Sequence, residues 1–135
     1  MNNAWILLLG RVLFSAFFIM SGYAHLTKIG MMAAYAGSQG VPAPKLAVGG
    51  TGLMLLGGGF SILLGFEPRW GALLLVVFLV PTAFMMHRYW GMADPMMAAN
   101  QRAQFWKNIA LASASVMIYY FATVYPEAWP YSLGR

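Results

Sequence analysis

Hydrophobic residues in this chain are massed into blocks, and the polar residues collect between the blocks. Four predominantly apolar stretches lie at about 4–26, 46–66, 70–87 and 105–124. Runs of about 20 such residues, at about 1.5 Å rise each, match the hydrocarbon thickness of a bilayer. Lipid offers the backbone no hydrogen-bond partner, so runs of this length are expected to be helices. The connections differ in kind. Residues 27–45 hold Lys28, Gly37, Gly40, Pro42, Pro44 and Lys45, a helix exit followed by a turn-rich loop. Glu67-Pro68-Arg69 is a tight turn with proline placed to start the next helix. Residues 87–104 carry His87, Arg88, Asp94, Pro95, Asn100, Gln101 and Arg102 and read as a polar loop. No soluble linker or long repeat interrupts the pattern, which predicts a single domain over 1–135, an all-α membrane-embedded bundle of four transmembrane helices.

Within the apolar stretches, helical periodicity sorts the faces. At 100° per residue, Arg11, Ser15, Phe18, Gly22 and His25 share one face of the first helix. Asn108, Ala112, Ser115 and Tyr119 form a similar small and polar face on the last. Both are expected to look into the bundle. Gly57, Ser61 and Gly65 recur every four residues on the second helix, a small-residue stripe that lets helices approach closely. Pro81 cannot donate to Val77 and is expected to kink the third helix. The tail, Tyr125 to Tyr131, is aromatic and broken by proline, as in an interfacial belt.

Composition strengthens the membrane reading. Hydrophobic residues make up 61% of 135 and charged residues only 8%, with mean hydropathy +0.67. That leaves too few charges for a water-solvated surface, since soluble domains carry roughly 25%. The net charge of +5 would suggest nucleic acid in a soluble protein, but here it reports topology. Zero cysteines exclude thiolate metal sites, Fe–S clusters and covalently attached haem. Met1-Asn2-Asn3 lacks the basic start of a signal peptide, and the apolar run after it is too long for one, so it is expected to remain as the first span. Lys28, Lys45, Arg88, Arg102 and Lys107 fall on one side of four spans, against Arg69 and Arg135 on the other. The excess puts the 27–45 and 87–104 segments in the cytoplasm and both termini outside.

Few residues are equipped for chemistry. Arg11 lies inside the first span, where an unpartnered charge costs on the order of 3 kcal/mol, so it is expected to face the bundle and reach Glu67 or a water or ligand oxygen. His25 and His87 end helices that run in the same direction, which puts both at one membrane face with Arg88, Trp90, Trp106, Lys107 and Asn108. Such a face could bind an anionic head group or a quinone ring, relay protons near neutral pH, or ligate haem through two histidines. No spacing signature accompanies the haem option, and a transition-metal site would be short of ligands. In the quinone option an imidazole donates to a quinone carbonyl, Trp90 or Trp106 stacks on the ring, and Lys107 stabilises negative charge. No Ser-His-Asp set, phosphate loop or paired-carboxylate pattern is present.

Leu9-Gly10-Arg11-Val12-Leu13 followed by Phe18-Ile19-Met20-Ser21-Gly22 resembles the first-helix signature of the DoxX family of small four-helix integral membrane proteins. His87-Arg88-Tyr89-Trp90 with Asp94-Pro95, then Gln104-Phe105-Trp106-Lys107-Asn108-Ile109-Ala110-Leu111, is similar to that family's pattern after the third helix and into the fourth. The chain departs from the pattern in carrying His25 where many members have lysine, and in a second helix uncharged until Glu67. The resemblance implies a bacterial-type inner-membrane protein associated with quinone-linked redox systems, with lipids, a quinone and a redox protein as partners. Relatives at superfamily level act as non-enzymatic assembly factors, which makes membrane scaffolding the alternative function.

Overall fold

The computed structural model describes residues 3–134. Met1 and Asn2 of the N-terminal reading and Arg135 of the charge comparison lie outside the described residues. Five helices follow in order: α1 (Ala4–Thr27), α2 (Ile29–Ser38), α3 (Pro44–Leu64), α4 (Pro68–Met86) and α5 (Pro95–Val124), with a 3₁₀ turn at Pro126–Ala128. Among the described residues the only sheet-like pairing is an isolated bridge between Phe66 and Gly134. Three helices, α1, α3 and α4, are long and apolar enough to cross a membrane.

The all-helical expectation holds, with two corrections to the element pattern. The turn-rich segment after residue 27 contains α2, a ten-residue helix that buries Ala33 and Ala36 against α3. The last helix begins at Pro95 rather than near residue 105. Asp94 caps it, its side chain accepting from the Met96 and Met97 amides at 2.9 and 3.1 Å, and Pro95 occupies the first helical position. The polar residues that suggested a loop form the first three turns of a helix standing beyond the apolar part.

Each spanning helix presents its buried face to α3 or α4. α3 packs on both α1 and α4, and α4 carries α5. On α1 the buried residues are Arg11, Ser15, Phe18 and Gly22, the face that a 100° count selects. On α5 they include Asn108, Ala112 and Ser115, but Tyr119 turns outward. The core is Phe18, Leu55, Ile62, Leu75 and Leu79 with smaller residues around them. Backbones come close where glycine allows it. A Cβ on Gly58 would stand 2.7 Å from Leu75 of α4, and one on Gly52 would stand 2.9 Å from the His25 Cβ. On the three long apolar helices the exposed apolar residues, Leu13, Met20 and Leu53 among them, form an outer surface suited to lipid.

α3 ends on Gly65 at φ 65, a left-handed conformation that suits glycine, and Ser61 Oγ donates to the Phe66 carbonyl at 2.7 Å. The turn then delivers Pro68 to the start of α4, as the Glu-Pro-Arg motif predicts.

Candidate functional site

Arg11 organises one end of the bundle. It is buried, and its guanidinium donates to the carbonyls of Ile62 (Nε, 3.1 Å), Leu63 (Nη2, 2.7 Å) and Pro130 (Nη1). Ile62 and Leu63 are in the last turn of α3, whose carbonyls have no partner within the helix, and the helix dipole there favours a cation. The Trp129 ring lies beneath the same group, 5.3 Å from its carbon. Leu133 N–H reaches the Leu64 carbonyl at 3.0 Å, so the C-terminal segment closes over this end. Arg11 thus points inward as expected, but its partners are carbonyls and not Glu67. Glu67 pairs with Arg69 at 3.1 Å, two residues along its own turn and near the surface.

The opposite end is open. A cavity of about 650 Å³ lies between α1, α2, α3 and α4, with α5 closing one side. Its walls are mainly apolar: Phe17 and Phe18 from α1, Met31 and Met32 from α2, Met54 and Leu55 from α3, Phe78 and Met86 from α4. His25, His87, Gln104, Lys107 and Asn108 supply polar groups, together with the hydroxyls of Ser21, Tyr35, Thr51 and Thr82. His25 reaches this place because Gly52 leaves room for its Cβ, and its ring meets Phe78 edge-on at 5.9 Å.

Both imidazoles are anchored through Nδ1. His25 Nδ1 is 2.8 Å from the Ser21 carbonyl, one turn back on its own helix. His87 Nδ1 is 2.9 Å from Gln101 Oε1. The Gln101 amide in turn donates from Nε2 to Tyr35 Oη at 3.2 Å, and Tyr35 donates to the Met86 carbonyl at 3.3 Å. Helices α2, α4 and α5 therefore meet in one hydrogen-bonded chain. Burial draws the His87 imidazole below the ordinary histidine pKa; the Gln101 hydrogen bond opposes that shift and the Lys107 cation reinforces it. Lys107 donates to Gln104 Oε1 at 2.6 Å and lies 5.6 Å from the centre of the Phe17 ring, linking α5 to α1.

Of the residues expected at this face, His25, His87, Lys107 and Asn108 line the same cavity. Arg88, Trp90 and Trp106 do not. Arg88 donates to the Gln39 carbonyl at 3.1 Å and ties the segment after α4 to the end of α2. Trp90 belongs to a cluster with Phe84, Tyr89 and Phe105, and Trp106 meets Phe105 edge-on at 5.4 Å while remaining exposed. The aromatic walls are instead Phe17, Phe78 and Tyr35. Tyr35, Gln101 and Gln104 escaped the sequence reading. The cap Asp94-Pro95 was the available signal for the helix that carries the two glutamines, whereas nothing local singles out Tyr35.

This geometry can hold a flat, largely apolar molecule and grip it by a few polar atoms. Pockets of about 300–1,000 Å³ with apolar walls and few polar groups are the usual form of small-molecule sites. Among the described residues no group of three or more His, Cys, Asp or Glu side chains is placed to hold a metal ion.

Comparison with known proteins yields two matches. The model of the DoxX family matches residues 6–88, which takes in α1 to α4 and stops before α5. The inner membrane protein YphA of Escherichia coli (strain K12) is 30% identical over 113 residues, 84% of this chain and 80% of that protein. No solved structure matches.

Proposed function

The chain belongs to the DoxX family of membrane proteins, and from that premise we propose that it is an inner-membrane component of a quinone-linked redox system, with the quinone ring held in the cavity that His25 and His87 line. The observation that carries this reading is the cavity itself, about 650 Å³ with walls that are mainly apolar and aromatic and polar side chains set among them. A quinone brings a flat apolar ring and two polar oxygens, the complement of such walls. The methionines around the cavity adapt to an aromatic face and make favourable sulfur–ring contacts. The bacterial relative is named for the inner membrane, and the location is carried over from it.

In this reading α5 is the fourth span, its residues 105–124 crossing the bilayer and its residues 95–104 standing clear of it. The excess of Lys and Arg at the His25/His87 end supports a topology with that end in the cytoplasm and both termini outside. Reporter fusions after the last helix test the topology; activity on the cytoplasmic side reverses it. Scaffolding through the small-residue stripe is less well supported. Ser61 packs against Gly71 of α4 and Gly65 against Trp129 and Arg11, so these positions serve the bundle's own interior.

The test is direct binding. The purified protein in lipid nanodiscs, titrated with a short-chain benzoquinone followed by tryptophan fluorescence, should saturate at one ring per chain. Lys107→Ala should weaken binding at least about tenfold, the loss expected for a hydrogen bond in a desolvated site. No saturable binding, with the helical spectrum intact, overturns the reading.

A further inference from the structure

The cavity's hydrogen-bonding polarity follows from its neighbours. Tyr35 Oη donates to the Met86 carbonyl, so its oxygen is left to accept, and it accepts from Gln101 Nε2. That contact orients the amide and turns its oxygen toward His87. A carbonyl oxygen only accepts, so the proton on His87 is on Nδ1. The same holds for His25, whose Nδ1 faces the Ser21 carbonyl. A neutral imidazole protonated at Nδ1 carries a lone pair at Nε2 and can only accept there. Neither Nε2 has a protein partner among the described residues. The donor role that the sequence reading gave the imidazoles is therefore reversed.

We propose that the cavity selects a ring bearing hydroxyl groups, the reduced dihydroxy form of a quinone, over the oxidised form. The inference rests on the quinone reading above. A quinone carbonyl only accepts. It can take hydrogen bonds from Lys107 or Asn108 but offers nothing to the two histidines, and leaves their lone pairs stripped of water. A hydroxyl both donates and accepts, so one ring with two of them serves the histidines and the Lys107 and Asn108 donors together. Sites built to hydrogen-bond a hydroxyl discriminate strongly against the analogue lacking it, because buried partners are then left unpaired. Gln101 acts here as a positioning residue: it touches no ligand but holds the His87 proton on Nδ1.

The experiment compares three rings of one shape with the intact protein in nanodiscs, without oxygen, at about pH 8, where ordinary histidines are neutral. They are tetramethyl-1,4-hydroquinone, tetramethyl-1,4-benzoquinone and the dimethyl ether of the hydroquinone. Equilibrium dialysis should give the hydroquinone an affinity at least about tenfold above the other two. Gln101→Leu should reduce that ratio several-fold, and His87→Phe should reduce it further. The chain has only two histidines, so ¹⁵N spectra of histidine-labelled protein read both tautomers without ligand and should show Nδ1 protonated in each. Equal binding of quinone and hydroquinone, tighter binding of the quinone, or an Nε2-protonated tautomer overturns the selectivity and leaves the quinone reading standing. Binding of none of the three overturns both.

Discussion

At one end of the bundle Arg11 directs its guanidinium at three carbonyls and rests on a tryptophan. At the other, His25 and His87 each commit one ring nitrogen to a protein carbonyl and leave the second, beside a cavity, without a partner among the described residues. Both ends pose the problem of placing polar groups near lipid, where an unsatisfied group is costly. The Arg11 end solves it internally for the charge, using carbonyls of the α3 terminus and the returning C-terminal segment, and leaves the Trp129 indole N–H without a partner there among the described residues. The histidine end solves only half of it. A group whose needs are all met by the chain has a structural role, and a group with an unmet need next to a void is where a ligand is worth seeking. A smaller cavity of about 260 Å³ lies at the Arg11 end, where the charged groups that line it, Glu67 and Arg69, pair with each other and the Trp129 indole N–H is the one buried side-chain polar group in its lining without a partner among the described residues.

The contrast breaks most severely at Arg11. Arg11→Leu takes the guanidinium donors from the carbonyls of Ile62, Leu63 and Pro130, of which Ile62 keeps the Gly65 N–H, and a buried carbonyl left without a donor costs about 1–3 kcal/mol. The variant should lose about 3 kcal/mol or more of stability, seen as a large drop in thermal midpoint in detergent and in membrane yield. Arg11→Lys should recover part of it, since an ammonium keeps the charge but lacks the planar fork that reaches three acceptors. A midpoint unchanged in Arg11→Leu would show that the closed end is not held by this residue.

Gly52→Ala joins the two ends. The new methyl would stand 2.9 Å from the His25 Cβ and 3.0 Å from Leu26, so α1 must shift away from α3. Overpacking of this kind costs about 1–3 kcal/mol. Unlike Gly58→Ala, which strains α3 against α4 far from the histidines, Gly52→Ala should also weaken ring binding. Equal binding in the two variants would detach His25 from the site.

At the open end, stability and binding should separate. His87→Ala should cost no more than about 1 kcal/mol of stability, the net worth of one hydrogen bond, and so shift the thermal midpoint little, while ring binding falls sharply. Burial holds the His87 pKa below the ordinary value near 6.5. Binding through its neutral form should therefore persist as pH falls to about 6.5, and decline only below that. A midpoint loss as large as that of Arg11→Leu would make His87 a structural residue. The smallest effect belongs to Glu67→Gln. The exposed pair with Arg69 should contribute no more than about 0.5 kcal/mol. A larger loss would return Glu67 to the role of buried partner for Arg11.

What the sequence by itself determined is local and periodic. Hydrophobic blocks of bilayer length define the three long apolar helices, and a 100° count picks the face of α1 that is buried, with Arg11 on it. Glu67-Pro68 marks the tight turn, and Asp94-Pro95 contains the start of α5, a short-range signal outweighed by the polar residues that follow. Only the tertiary structure decided what the polar residues meet. Arg11 finds carbonyls because α3 ends beside it and the C-terminal segment folds back, contacts more than fifty residues away in sequence. Arg88, Trp90 and Trp106 leave the cavity, and Tyr35 and Gln104 join its wall, because α2 and the early turns of α5 are helices whose rotation fixes each side chain's direction. The His87 tautomer depends on this most of all, whereas that of His25 is set one turn back on its own helix. Which His87 ring nitrogen holds the proton is set by an amide whose own orientation is set by a tyrosine on another helix. Periodicity is a property of neighbours along the chain, whereas hydrogen-bond direction belongs to groups that only folding brings within three ångströms of one another.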